Sequence, residues 1–270
     1  MIVLVILAVI FIALYILLIF PGKGHGVEKY KNVKFAHRGL HDETKAENSM
    51  SAFSAAVELG FGIELDVRLS KDGELVVFHD DTLDRVTGKE GNVIDFTADE
   101  LAQMKLSGTK DGIPRFSDVL AMVDGRVPLL VEIKEDAGNS LVSKKCAEVL
   151  KGYSGDLLIE SFNPLSLKNS KKILKNIPHG ILSHKYYIYG KYRKPLYFLL
   201  QTLLMNFLCR PAFVAYDHKH FKCRSLRILH DFFGVPAFAW TIRSEDEEMV
   251  ARMHGFDGVI FENYIPKKNR

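Results

Sequence analysis

The sequence predicts a (β/α)8 barrel of the TIM type, carried behind an apolar amino-terminal helix. Short runs rich in β-branched residues recur along the chain, segments of helical period separate most of them, and eight such runs follow residue 33. The first 20 residues stand apart as one uninterrupted apolar stretch. A doubly wound open sheet would show the same alternation, but no glycine-rich nucleotide fingerprint follows the first strand.

Residues 1–20, MIVLVILAVIFIALYILLIF, contain no charge and no helix breaker. As a helix they would reach about 30 Å, the thickness of a bilayer's hydrocarbon core. A cleavable signal would carry a basic segment before a shorter apolar core and a small-residue cleavage site after it. Neither is present, so an uncleaved, single-pass anchor in the cell membrane is expected. Lys23, Lys29, Lys31 and Lys34 all follow this helix, which by the positive-inside tendency places the rest of the chain in the cytoplasm. Residues 21–32, opening with PGKGHG, read as a linker, and 33–270 as the barrel domain.

The strands are expected at 33–36, 62–67, 128–133, 157–161, 179–183, 213–217, 237–241 and 257–261. Between the first two, ENSMSAFSAAVELG reads as a helix capped by Asn48 or Ser49 and stopped at Gly60; SEDEEMVARMHG runs likewise from a Ser244 cap to Gly255. After the second strand, the KDG turn at 71–73 leads into another apolar run that closes in FHDD, the pattern of a hairpin. Residues 82–118 exceed a simple loop and read as a small insertion. The stretch 185–213 is tyrosine-rich and basic, then strongly apolar, and its core at 195–208 is too short to span a bilayer. Only Gln201, Thr202 and Asn206 interrupt that core, too narrow a polar stripe for a water-facing helix. It is expected to rest in the membrane interface with Lys191, Arg193 and Lys194 at head-group level, or else to pack against an extension or another protomer.

Composition removes other classes. A net charge of +3 with dispersed lysines leaves no electrostatic footprint for nucleic acid. Three cysteines without metal-ligand spacing indicate neither a zinc site nor a disulfide framework.

In a parallel barrel the carboxyl ends of the strands build the active face. Polar residues gather there: His37 and Arg38 after the first strand, Glu64 and Asp66 on the second, His79 after the hairpin, Glu132 and Lys134 on the third. Residues two apart on a strand share a face, so Glu64 pairs with Asp66 and Glu132 with Lys134. If that face is the interior, three carboxylates converge, an arrangement that demands protonation or a counterion. Oxygen ligands point to one hard divalent cation, Mg²⁺ or Ca²⁺. Two histidines supply a general acid and a general base near neutral pH, and Arg38 and Lys134 supply charge for an anionic substrate, a set suited to phosphoester cleavage. Singly, E-x-D reads as an exposed strand face, HRG as a turn and EIK as a cross-strand ion pair. Their ordered occurrence at strand ends favours a site.

That ordered set, HRG at 37, AENS at 46, ELD at 64, DG at 72, HD at 79 and EIK at 132, resembles the glycerophosphodiester phosphodiesterases. The resemblance continues through ESFNP at 160, AWT at 239 and GFDGVI at 255, nearly everything beyond the linker. It implies a metal-dependent barrel enzyme that converts glycerophosphodiesters to glycerol phosphate and an alcohol. By motif position it implies Glu64, Asp66 and Glu132 as metal ligands and His37 and His79 as the acid/base pair. Arg38 and Lys134 would bind phosphate, supported by Glu47. Trp240 would pack against the glycerol or head group, or serve as a core aromatic. An interfacial position would favour lysophospholipid substrates, a lysophospholipase D type activity at the same site; a membrane-anchored binding protein without catalysis is the reading from another class. The chain departs from the family in Ala46, where proline is usual, and in FENYIP at 261–266, where a loop or the amino-terminal segment is expected in place of an eighth helix.

Overall fold

A computed structural model of the chain describes residues 1–23, 26–135, 139–189 and 194–267. Nine strands form one sheet: β1 (Lys34–Ala36), β2 (Gly62–Leu69), β3 (Leu75–Val77), β4 (Leu129–Ile133), β5 (Leu157–Ser161), β6 (His179–Ser183), β7 (Phe213–Asp217), β8 (Ala237–Ile242) and β9 (Gly258–Phe261). Eight run parallel, and β1 pairs with both β2 and β9, which closes the barrel. β3 is the antiparallel return of the expected hairpin, with Val67 opposite Val77.

One parity on each strand fills the interior. At its base Phe35, Phe213 and Phe238 pack together, with ring centroids 6.1 and 5.0 Å apart in successive pairs. Three neighbouring positions are Gly62, Gly180 and Gly258, where an added Cβ would collide with those same rings. Large and small residues thus interlock at the density a barrel interior requires. Above them lie Leu130, Leu158, Leu182, Ala215 and Ile260. Two residues further along β4 and β5, the inward positions become Glu132 and Glu160.

The helices are α1 (Ile2–Ile19), α2 (Met50–Glu58), α3 (Asp84–Thr87), α4 (Ala98–Ala102), α5 (Phe116–Val123), α6 (Leu141–Leu150), α7 (Pro164–Ile173), α8 (Pro195–Gln201), α9 (Asn206–Cys209), α10 (Arg224–Phe233) and α11 (Glu245–Met253). Ser49 rather than Asn48 caps α2, its Oγ accepting from the Ala52 N–H at 3.2 Å, and Ser244 caps α11 in the same way at 3.1 Å. Between β3 and α5, residues such as Phe78, Leu83, Leu101 and Ile113 form a small core of their own.

Two local expectations change, and the loop expected after the last strand is found. Residues 195–208 are two short helices, not one, because Leu203 takes a left-handed conformation (φ 60°) that drives its own side chain, and then Asn206 and Cys209, into the interior. Lys191 and Arg193 lie outside the described residues, as do positions 24 and 25 of the expected linker; Lys194 is exposed just before α8. Residues 27–30 are not a free tether: Val27 and Tyr30 are buried against Phe35 at the barrel floor, and the Tyr30 hydroxyl accepts from the Leu157 N–H at 3.1 Å. Among the described residues no helix follows β9; a loop takes its place, with Tyr264 against Phe261 and its hydroxyl on Glu248 at 3.1 Å.

The interlocked base gives a direct test. Gly180→Ala should overpack Phe213 and lower unfolding free energy by about 1–3 kcal/mol, read by denaturant titration of the detergent-solubilised chain. An unchanged midpoint would contradict the close approach at this position.

Candidate active site

The parallel register sets Asp66 of β2 beside Glu132 of β4, and Glu132 beside Glu160 of β5. Glu64 lies two residues below Asp66 on the same inward face. All four carboxyls are buried, and one oxygen each from Glu64, Asp66 and Glu132 lies within 4.8 Å of the others. Two cations reach them: Lys134 Nζ lies 2.7 Å from Glu132 and 3.1 Å from Asp66 Oδ1, and Arg38 Nε lies 3.5 Å from Asp66 Oδ2.

Backbone geometry serves this cluster. Arg38 and Asn48 both take positive φ, 57° and 54°. The Arg38 N–H donates to Glu64 at 2.8 Å, and the Asn48 side-chain amide donates to Asp66 at 2.8 Å. The Lys134 contact with Asp66 Oδ1 is an ion pair lacking hydrogen-bond geometry, which leaves that oxygen, like Glu160 Oε2, without a hydrogen bond.

Each candidate histidine is held at Nδ1 by a carboxylate. His37 meets Glu262 at 2.6 Å and His79 meets Asp80 at 2.7 Å. Since an ionised carboxylate only accepts, each Nδ1 carries the proton and each Nε2 is left with a lone pair. His37 Nε2 lies 4.0 Å from Glu64. Arg68 donates to the His79 carbonyl at 2.9 and 2.7 Å, fixing the loop. Arg85 joins Asp80 at 2.6 Å to Glu47 at 2.7 Å, and Glu47 accepts from Arg38 at 2.7 Å.

Burial lowers the pKa of His79 to about 4 against the pull of Asp66, and lowers that of His37 against Glu262. Burial raises Glu132 to about 7, and raises Glu64 and Glu160 well above the carboxylate range with their acidic neighbours adding to it. Asp66 goes the other way, its burial outweighed by Lys134, His79 and Arg38. At Glu47 and Glu262 burial is likewise outweighed, by Arg85 and Arg38 in one case and by His37 and Arg243 in the other, so both sit at about 2.

Four buried carboxyls face two cations, an imbalance of two charges. The oxygen-only donors, their spacing and the unbonded Asp66 Oδ1 fit a hard divalent cation held by Glu64, Asp66 and Glu132.

Every residue that the sequence suggested for the site lies at this mouth or against it. Trp240 stands one layer away: its ring centroid is 5.5 Å from Phe162, and that ring lies 5.8 Å from Lys134 Nζ. Four participants escaped sequence reasoning. Glu160 shares the inward parity of the apolar strand LLIES, Glu262 follows β9 in the departing FENYIP segment, Asp80 stood in the HD motif without a role of its own, and Arg85 carried no motif. Extending strand parity to the fourth barrel strand would have found Glu160.

A closed barrel with buried carboxylates, two carboxylate-held histidines and an arginine–lysine pair at its mouth defines a phosphodiester hydrolase class. The chain belongs to the glycerophosphoryl diester phosphodiesterase family, whose description matches residues 37–265, and it is a phosphodiesterase. A glycerophosphodiester phosphodiesterase of Caldanaerobacter subterraneus subsp. tengcongensis is 34% identical over 86% of this chain and 95% of its own. Human lysophospholipase D is 30% identical over 53% of this chain and 49% of its own. Among solved structures, a Thermotoga maritima glycerophosphodiester phosphodiesterase superposes with TM-score 0.67 at 27% identity, covering 85% of this chain and 94% of that one. An Oleispira antarctica phosphodiesterase in complex with sn-glycerol-3-phosphate shares the fold at TM-score 0.74 and 24% identity, covering 88% and 95%.

The raised carboxyls predict a pH signature. Without a cation, Glu132 rises from the usual 4.5 to about 7 on folding, so its ionisation removes stability as pH climbs through that window. A bound cation favours the ionised form. Adding Mg²⁺ or Ca²⁺ should therefore raise Tm more at pH 8 than at pH 5.5; equal shifts at both would reject the charge-balance account.

Proposed function

We propose that the chain is a metal-dependent hydrolase of glycerophosphodiesters, the deacylated phospholipids, yielding glycerol 3-phosphate and an alcohol with one Mg²⁺ or Ca²⁺. The apolar helix within residues 1–20 anchors it at the cell membrane, residues 21–32 join anchor to barrel, and residues 33–270 form the catalytic domain on the cytoplasmic side, with 82–118 as its small insertion. The observation that carries the reading is the buried Glu64–Asp66–Glu132 cluster flanked by His37 and His79, each with its Nδ1 on a carboxylate.

Arg38 and Lys134 draw the phosphate to the mouth, and Glu47 keeps the Arg38 guanidinium in place. His79, neutral at pH 7, fits the base that takes the proton of the substrate's own glycerol hydroxyl at Nε2. His37 has to enter this step as the imidazolium, a form that Glu262 at Nδ1 favours and burial opposes; the freed oxygen then attacks phosphorus and the alcohol leaves with the proton from His37 Nε2. Water then opens the resulting cyclic phosphate with the two histidines in exchanged roles. A divalent cation on Glu64, Asp66 and Glu132 would draw off charge from the phosphate oxygens.

A second reading has its own observation. A cavity of about 560 Å³ runs from Glu132 and Lys134 past Phe162 to Leu196, Leu200, Met205 and Leu208. Such a groove suits an acyl chain, and with it the same chemistry becomes lysophospholipase D activity.

Purified chain given glycerophosphocholine and Mg²⁺ or Ca²⁺ should release glycerol phosphate, chelator should stop it, and His79→Ala should reduce turnover by about 10²–10⁴-fold. Full activity in that variant would remove the assignment, and absent turnover across a diester panel would favour a binding protein. Leu200→Arg should impair hydrolysis of 1-acyl-lysophosphatidylcholine while sparing glycerophosphocholine; equal losses on both would remove the groove's part.

A further inference from the structure

α1 is docked on the barrel, and the way it docks gives it a direction. Arg210 donates to the carbonyls of Leu17 and Phe20 at 3.4 and 3.2 Å. Phe20 meets Phe233 edge-on at 5.3 Å, and the Gly22 N–H donates to the Pro211 carbonyl at 2.9 Å. Pro211 precedes β7 and Phe233 ends α10, so these contacts lie at the end of the barrel away from the active mouth. One helical turn earlier, the Tyr15 hydroxyl meets Ser225 Oγ at 2.7 Å, in the first turn of α10 and hence at the mouth end. Traced back toward its start, α1 therefore climbs the flank of the barrel and passes its rim, with residues 2–14 all exposed. The apolar rod leaves on the side that carries the active site.

Where it leaves, a cavity of about 700 Å³ opens between α1, α8 and the loop after β7. Phe11 and Tyr15 of α1 and Phe198 of α8 form its apolar wall, while Lys185, Lys219, Lys222 and Arg224 supply charge. No carboxylate lines it, and among the described residues none of these four cations has an ion-pair partner, while His220 of the same lining meets Asp217 at 3.0 Å. All four are exposed. The cavity shares no residue with the groove that leads from Lys134, and α8 is the wall between them, giving Leu196 and Leu200 to one and Phe198 and Gln201 to the other. Cations gathered against an apolar helix at a membrane boundary match a phosphate attached to acyl chains.

We propose that this cavity seats the head group of an anionic phospholipid from the membrane that holds α1, turning the barrel's active mouth onto the bilayer. The inference rests on α1 being the anchor, its exposed residues 2–14 entering the membrane while Tyr15–Phe20 stay on the barrel, and it assigns a lipid site separate from the site of hydrolysis. Phosphatidylglycerol in the leaflet would bridge Lys185 and the Lys219–Lys222 loop, with its chains along Phe11 and Phe198.

The test uses full-length chain in detergent, titrated with dioctanoyl-phosphatidylglycerol, dioctanoyl-phosphatidylcholine or inorganic phosphate and read by native mass spectrometry. Phosphatidylglycerol should bind, weaken by about tenfold or more in the Lys185→Gln/Lys219→Gln/Lys222→Gln variant, and outcompete phosphatidylcholine. Equal binding of phosphatidylcholine, equal binding by the variant, or equal binding of inorganic phosphate would each overturn the proposal. Glycerophosphocholine hydrolysis in the same samples should be unchanged by the triple substitution, which separates failure of the lipid site from failure of the enzyme reading. Extraction of the chain from membranes by carbonate would overturn the anchor on which the proposal stands.

Discussion

Four carboxyl groups in the mouth of a closed barrel are the constraint that the surrounding structure answers. Strand register makes the crowding unavoidable, since Asp66, Glu132 and Glu160 stand abreast on adjacent strands and Glu64 lies just below. A protein interior solvates ions poorly, so each charge there needs a partner or a proton. Lys134 and Arg38 answer part of the demand, and raised pKa values at Glu64, Glu132 and Glu160 record the remainder. Even the backbone yields to it: Arg38 and Asn48 hold left-handed conformations, each costing about 1 kcal/mol or more for a residue with a side chain, and their donors go to Glu64 and Asp66.

The insertion after β3 belongs to the same arrangement. Its helix α3 brings Arg85, which joins Asp80 to Glu47 and so ties the His79 loop to the Arg38 turn. Arg68, on β2, grips the His79 carbonyl from the other side. An imidazole held at its ring nitrogen, its backbone and its carboxylate partner has little freedom left to lose on binding a substrate, which is what preorganisation requires. The small core of Phe78, Leu83, Leu101 and Ile113 makes that frame rigid.

Much of this was legible in the sequence because strand periodicity is short and strict. Glu64 with Asp66 and Glu132 with Lys134 had to share a face, while periodicity alone left open which face that was; the other parity, Ile63, Leu65, Val67, Val131 and Ile133, packs in the apolar layer with the helices and so turns the charged one inward. Residues whose role depends on contacts across the fold were less visible. Glu262 and Arg85 reach their partners over sequence separations of 225 and 38 residues, and nothing local marks them. The apolar stretch at 195–208 misled in another way: hydropathy predicts burial or a membrane face but is blind to a single left-handed residue, and Leu203 breaks the run into two helices with different neighbours.

The mouth of the barrel is divided, and the division follows from the same inward parity. On β2 and β4 the upper inward positions are Asp66, Glu132 and then Lys134, all charged; on β5, β6 and β8 the positions beyond are Phe162, His184 and Trp240, whose rings lie 5.5–5.9 Å apart. Tyr186 and Tyr197 extend this aromatic wall toward α8, with centroids 5.3 Å apart. A substrate that is phosphate at one end and carbon-rich at the other can satisfy both halves only in one orientation, with its diester over the carboxylates and its remaining portion along the rings. Phe198 of α8 lines a cavity with Phe11 and Tyr15 of α1, so α8 stands between the aromatic side of the mouth and the flank that carries the apolar rod. The polarity of the proposed substrate therefore follows from which strands carry charge at their inward ends and which carry aromatic rings.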